Sequence, residues 1–121
     1  MTKEKALYEW FNSFGIPAYP ATAVPEDATF PYMTYTPKTS AFLDYQVSIT
    51  VLLYYKTFSE AIPSAKAEEI AKEIRYGRRM LRCDDGLIWL KTDSPWSQSI
   101  EQDDNSLKTR QLLVIAEYLT Y

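Results

Sequence analysis

Four of the five arginines of this 121-residue chain fall within eight residues, the run RYGRRMLR that holds Arg75, Arg78, Arg79 and Arg82. Arginine's planar fork of donors suits phosphates and carboxylates alike, so this cluster is the first candidate for binding chemistry. Three readings stay open. The charges can complement the C-terminal end of a helix and otherwise meet solvent. They can pair with acidic residues of a neighbouring subunit, for which Asp84, Asp85, Asp103 and Asp104 are the candidates. They can contact nucleic acid, although Tyr76 is the one aromatic residue interleaved with them.

Catalysis finds less to work with. The chain has no histidine, which removes the commonest general base, the commonest metal ligand and every Ser–His–Asp or Cys–His arrangement. Cys83 is the sole cysteine and is expected to be a small buried or half-buried thiol. The three glycines, Gly15, Gly77 and Gly86, make no phosphate-cradling loop. Asp84–Asp85 and Asp103–Asp104 sit in DDG and DDNS contexts that favour turns over carboxylate chemistry. The expectation is a chain that is not an enzyme, with no catalytic residues, cofactor or metal site.

Periodicity supplies the elements that would position these groups. Leu7, Trp10, Phe11 and Phe14 recur at i, i+3, i+4 and i+7, predicting a helix over 3–14 with Thr2 as N-cap and Gly15 as stop. Five prolines punctuate 17–37, a stretch read as an extended connection that becomes a short strand near 30–36. Residues 45–55, YQVSITVLLYY, alternate strictly and predict a long strand. Its odd positions are apolar, and Gln46, Ser48 and Thr50 begin a polar outward face. Ala67, Ile70, Ala71 and Ile74 predict a second helix over 63–76, with Glu68 and Lys72 as a supporting pair. Short strands follow at 87–91 and 96–102. After the turn at 103–106 comes a last strand with Leu112, Val114, Ala116 and Tyr118 on one face. The predicted core is Trp10, Phe11, Phe14, Val47, Ile49, Val51, Ile70 and Ile74.

The order is therefore α-β-β-α-β-β-β, a single α+β domain over 1–121 with both helices on one face of a mostly antiparallel sheet. Hydrophobic residues at 46% and charged residues at 24% fit a folded chain rather than a disordered one. A net charge of −3 argues against binding nucleic acid through the whole surface. Glu9 interrupts the first apolar run and nowhere do 18 apolar residues run together, so neither a signal peptide nor a membrane span is expected. The reading is of a soluble protein made inside the cell. Phe42 and Leu43, two apolar residues in the polar loop 38–44, are candidate anchors for a partner or a cover for the domain's own core.

The succession of an opening amphipathic helix, FPYMTYTP, YQVSITVLLYYKT, SAKAEEIAKEI and a closing LLVIAEYLTY resembles the tail-completion, or tail-terminator, proteins of long-tailed bacteriophages and prophages. The likeness is of length, element order and texture over most of the chain. It implies an α+β subunit that closes into a ring, typically of six, on the end of the tail tube. Such a ring docks the tube to the neck of the head and meets DNA only as DNA passes through it. Its partners would be other copies of itself, the tail tube protein and a head-completion protein, and its place the virion neck. Phe42, Leu43, Arg78, Arg79, Arg82, Asp103 and Asp104 are the expected contact residues between subunits or partners. A monomeric adaptor that grips a partner through 17–37 is the alternative, and a nucleic-acid binder using the arginine cluster is a third.

Overall fold

The computed structural model describes Met1–Tyr121. Helix α1 (Lys3–Phe11) carries the predicted apolar stripe, and the Thr2 hydroxyl accepts from the Lys5 amide at 3.1 Å as its N-cap. One 3-10 turn (Asn12–Phe14) continues it to Gly15, whose φ of 84° is the left-handed stop. Helix α2 (Ala61–Tyr76) starts two residues before the predicted boundary, with Pro63 in its first turn. The expected Glu68–Lys72 pair does not form. Lys66 instead donates to the Phe14 carbonyl at 2.6 Å and to Glu69 at 3.1 Å, tying α2 to the end of the first helical segment.

Six strands form one sheet: β1 (Ala18–Pro20), β2 (Tyr32–Tyr35), β3 (Val47–Lys56), β4 (Met80–Cys83), β5 (Gly86–Ile100) and β6 (Leu107–Thr120). Their spatial order is β1-β2-β3-β6-β5-β4. The β1–β2 pairing is parallel and the other pairings are antiparallel. The class is α+β, but the element order is α-β-β-β-α-β-β-β rather than the predicted one, and the sheet is mixed and curled into a half-barrel.

Three local differences explain the change. β1 follows Pro17 and ends on Pro20, prolines that speak against a strand, yet as an edge strand it needs only one set of partners. The Pro17 carbonyl accepts from Met33 and the Ala21 amide donates to Tyr35, at 2.9 and 2.8 Å. β4 lies inside the arginine run, where Leu81 and Cys83 point inward between outward Met80 and Arg82. The two predicted strands at 87–91 and 96–102 are one strand, β5, because a register shift between Thr92 and Ser97 absorbs Pro95 without ending the pairing to β6. At the other end, β3 begins at Val47, and Tyr45 lies in the preceding loop.

Both helices pack on one sheet face. Trp10 and Phe11 of α1 and Ile70 and Ile74 of α2 share a core with Ile49, Val51, Leu112 and Val114. Every predicted core residue is buried except Val47, which is half-buried. Phe11 stacks on Tyr35 at 4.4 Å, and Trp10 meets Phe11 and Phe14 edge-on. The two buried indole N–H groups are satisfied: Trp10 donates to the Arg78 carbonyl and Trp96 to the Ala67 carbonyl, both at 3.0 Å. Because α1 touches β4 at one edge of the sheet and β1 at the other, the sheet curls around it.

Candidate contact surfaces

The sheet face turned away from the helices is the largest surface left over. Ser48 and Thr50 predict a polar face there, but pairing places Ser48 beside Ile115 and Thr50 beside Leu113. Leu119 pairs with Leu87, and Glu117 with Trp89, on the same side. The middle of this face is therefore apolar, and the expectation of a mainly polar face is corrected. Two of its charges are matched internally, while Arg82, beside Leu87 on the same face, has no carboxylate partner. Lys91 lies 3.9 Å from Glu117 and 4.2 Å above the Trp89 ring, and Gln46 donates to Glu117 at 3.1 Å. Toward β1 the face carries an aromatic ladder, with Tyr32 stacked on Tyr54 at 4.8 Å and flanked by Tyr19 and Phe30. Burial, then the neighbouring phenols of Tyr54 and Tyr19, push the Tyr32 hydroxyl above its ordinary value.

The loop after β2 stands at one end of this face. Phe42 and Leu43 are 60% and 88% exposed, so neither covers the core. The loop is nevertheless pinned: the Phe42 amide donates to the Thr120 carbonyl at 2.6 Å, and Asp44 accepts from the Ser40 hydroxyl and the Ala41 amide. Leu43 takes a left-handed φ of 75°, an unusual conformation for a branched residue. Phe42 lines a cleft of about 370 Å³ with Asp85, Leu119 and Tyr121, which joins the loop to the edge of the apolar sheet face.

The arginine cluster does not act as one unit. Arg78 donates to the Ser13 hydroxyl at 2.7 Å and Arg79 to the Arg75 carbonyl at 2.9 Å, so both brace the connection between α2 and β4. Arg82 projects from β4 into solvent. None of the four arginines is paired with a carboxylate. Asp84, one of the suggested partners, instead binds the N-terminal ammonium of Met1. Asp103 and Asp104 lie in the β5–β6 turn, where the Ser106 hydroxyl and amide both donate to Asp104. Those two hydrogen bonds hold its carboxyl below the ordinary value.

Arg82 pairs with Leu87 at the start of β5, whereas Asp103 follows Ile100 at its end. At the usual rise per strand residue, Arg82 and Asp103 are roughly 40 Å apart. They cannot meet within one molecule.

The largest cleft, about 410 Å³, runs between α1 and the proline-punctuated segment and is lined by Leu7, Tyr8, Pro20, Tyr35 and Pro37, with Lys5 and Lys38 at its rim. Cys83 is half-buried, and its thiol lies 3.5 Å from the Gly86 carbonyl. No protein-family model and no curated protein sequence matches the chain.

Proposed function

We propose that this chain is a structural subunit of a bacteriophage or prophage particle, a tail terminator that closes into a ring on the tail tube and docks it to the neck of the head. The observation that supports it best is that both ends of β5 carry charge of both signs, with Arg79 and Arg82 beside Asp84 and Asp85 at one end and Asp103 and Asp104 beside Lys56 and Lys108 at the other. A ring of identical subunits joined head to tail needs two different, complementary patches at opposite ends of each copy. Opposite charges placed there select the register of the contact more than they add affinity. Phe42 and Leu43, pinned in an exposed loop, add an apolar anchor for the tube or neck. In this reading the chain performs no reaction and holds no cofactor, and DNA passes through the ring without specific contact.

Charge reversal tests it. Arg79→Glu with Arg82→Glu leaves the fold intact, because Arg82 projects into solvent and Arg79 makes a single exposed bond to the Arg75 carbonyl, but lowers the yield of infectious particles. Unjoined heads and tails accumulate. Adding Asp103→Lys, which leaves the Asp104–Ser106 turn in place, restores an opposite sign at the contact and recovers yield. Normal particle yield from the first pair removes the charged ends from the mechanism.

The adaptor reading keeps one observation of its own. The cleft beside Tyr8 and Tyr35 is large enough for two or three side chains of an extended peptide, and its proline and aromatic walls are rigid. Tyr8→Ala separates the two readings, since it abolishes partner capture by an adaptor and leaves ring assembly unchanged.

A further inference from the structure

We infer that the free edge of β4, together with the groove between it and α1, is a docking site for an extended acidic segment of another protein, which adds to the sheet as one more strand. The inference rests on the backbone of β4 and is independent of the proposed ring.

The first observation is a difference between the two sheet edges. A strand at an edge leaves the N–H and C=O of every second residue without a ladder partner. At β1 these groups are answered within the chain. The Asn12 side chain accepts from the Ala18 amide at 2.9 Å and donates to the Ala18 carbonyl at 3.0 Å, taking the place of a neighbouring strand. Pro20 has no N–H to offer, and its carbonyl accepts from Ala23 at 2.9 Å. That edge is closed.

The β4 edge is open in its middle. The Leu90 amide donates to the Arg79 carbonyl, so the bonded pairs to β5 run through Arg79, Leu81 and Cys83. Met80 and Arg82 lie between them, are exposed, and turn both backbone groups away from the sheet. The positions on either side are occupied. The Arg78 carbonyl accepts from the Trp10 indole at 3.0 Å, and the Asp84 amide donates to the Met1 carbonyl at 2.7 Å. The Met1 contact is itself a backbone-to-backbone bond on the outer side of β4, so this edge already takes a main-chain partner at one end.

The second observation is the groove. A cleft of about 340 Å³ runs beside the open edge, with Ala6, Glu9 and Trp10 of α1 on one side and Met80, Leu81 and Arg82 on the other. Its floor is apolar, because Ala6, Trp10 and Leu81 are buried. The cleft is near the lower size of ligand pockets, about 300 Å³, and admits a single extended chain. The folded edge of a second copy does not enter it, since α1 of that copy stands beside its own β4.

The third is charge. Arg78 and Arg82 line the cleft from one face of β4, and neither guanidinium has a carboxylate partner. An added strand presents every second side chain to that face, so carboxylates at alternate positions answer the two arginines. The residues between them point toward Ala6, Trp10 and Leu81 and are small and apolar. Glu9 disfavours a negative charge at those inward positions. Nucleic acid would supply phosphates for the arginines but no row of N–H and C=O groups for Met80 and Arg82. The unmet backbone groups select a polypeptide.

NMR of the full chain labelled with nitrogen-15 tests the inference, with an octapeptide of alternating Asp and Val as the probe. The Met80 and Arg82 amides exchange fast with solvent in the chain alone; the peptide shifts them and slows their exchange. In an antiparallel pair the residues opposite Met80 and Arg82 share their face, so the Asp nitrogens make the new bonds. The same peptide methylated on its Asp nitrogens keeps its charge but binds about 10-fold more weakly, the loss expected for a hydrogen bond left unmade. Arg82→Glu, at a solvent-facing position, weakens binding of the unmethylated peptide by a similar factor, and a peptide of alternating Lys and Val does not bind. No shift at millimolar Asp–Val peptide overturns the inference, as does a methylated peptide that binds equally well, which makes the contact one of charge alone. A thymidine oligonucleotide that shifts the same amides at lower concentration than the peptide overturns it in favour of nucleic acid. Met80 and Arg82 amides that are protected in the chain alone and freed on dilution overturn it in favour of a second copy.

Discussion

Ser48 and Ile115 are partners across β3 and β6, and both side chains lie on the sheet face away from the helices. One of them belongs in water and the other does not. That pairing turns a strand with a polar back into part of a largely apolar surface, and it separates what holds the domain together from what the domain offers to other molecules.

The two faces of β3 differ sharply in what they contribute to stability. Ile49 is fully buried against both helices, so Ile49→Ala costs about 2–5 kcal/mol through lost transfer energy and the cavity left behind. Ser48→Ala changes stability by less than about 0.5 kcal/mol, as exposed substitutions generally do. Urea midpoints of the two variants measure the difference. Equal losses would mean that the faces are assigned the wrong way round.

Gly86 cannot carry a side chain. Its φ is 144°, and a Cβ there would collide with the carbonyl oxygen of Leu119 on β6. Gly86→Ala therefore forces β5 and β6 apart at the β4 hairpin and costs about 1–3 kcal/mol, the range for a residue held in a disallowed conformation. Gly15→Ala meets no neighbour and pays only for its left-handed φ. A thermal midpoint for Gly86→Ala no lower than that for Gly15→Ala contradicts the close approach.

Arg110 carries a buried polar atom that its neighbours leave unsatisfied. It lies on the helix side of β6, donates to Ser97 at 2.9 Å and Glu60 at 3.3 Å, and keeps a buried Nε without a partner. Glu60→Ala removes the carboxylate and costs about 1–3 kcal/mol, because the mostly buried guanidinium is left underpaired. Arg110→Met, which replaces the charge with an apolar chain of similar length, is close to neutral. Chemical denaturation of both variants checks the order. A larger loss from Arg110→Met would show that the pair is a net stabilising contact.

Alkaline titration reports on the buried tyrosines. Burial, with a smaller contribution from Tyr8, raises the Tyr35 hydroxyl from 10.0 to about 12. Tyr118 is raised mainly by burial as it donates to the Lys38 carbonyl at 2.6 Å, and Tyr55 by burial and then Glu69. Below pH 10 these phenols are protonated in folded and unfolded chains alike, and stability is complete. Above it the unfolded chain ionises first, so stability falls as pH rises from 10 toward 12. Phenolate absorbance should rise in two stages, exposed tyrosines first and the buried set together with loss of the fold. A single stage near the ordinary value would contradict the burial of Tyr35 and Tyr118.

Helix spacing made the core legible. Trp10, Phe11, Ile70 and Ile74 were placed by the i, i+3, i+4 rule, and the structure keeps them there because tertiary packing rewards the same stripe that periodicity reveals. β1 was hidden by Pro17 and Pro20, whose missing amides do no harm at an edge. β4 was hidden by its arginines, since an edge strand tolerates charge on its outward side. The apolar outward face is present in the letters LLVIA, but the period-two pattern of β6 is defined by Leu112, Val114 and Ala116, and Leu113 and Ile115 fall outside it. Among the expected contact residues, Phe42 and Leu43 stand exposed beside one cleft, while Arg78 and Arg79 turn partly to their own backbone and Asp103 and Asp104 lie at the far end of β5.

The central claim is a place in a particle, and position can be measured directly. An epitope tag at the C-terminus, where Tyr121 is 92% exposed, marks the chain for immunogold electron microscopy of any tailed particles released by cells that produce it. The account predicts label at the junction of head and tail, and at one end only of tails that carry no head. Label on the capsid shell, along the tube or at the distal tip, or particles that carry none while remaining infectious, would contradict it.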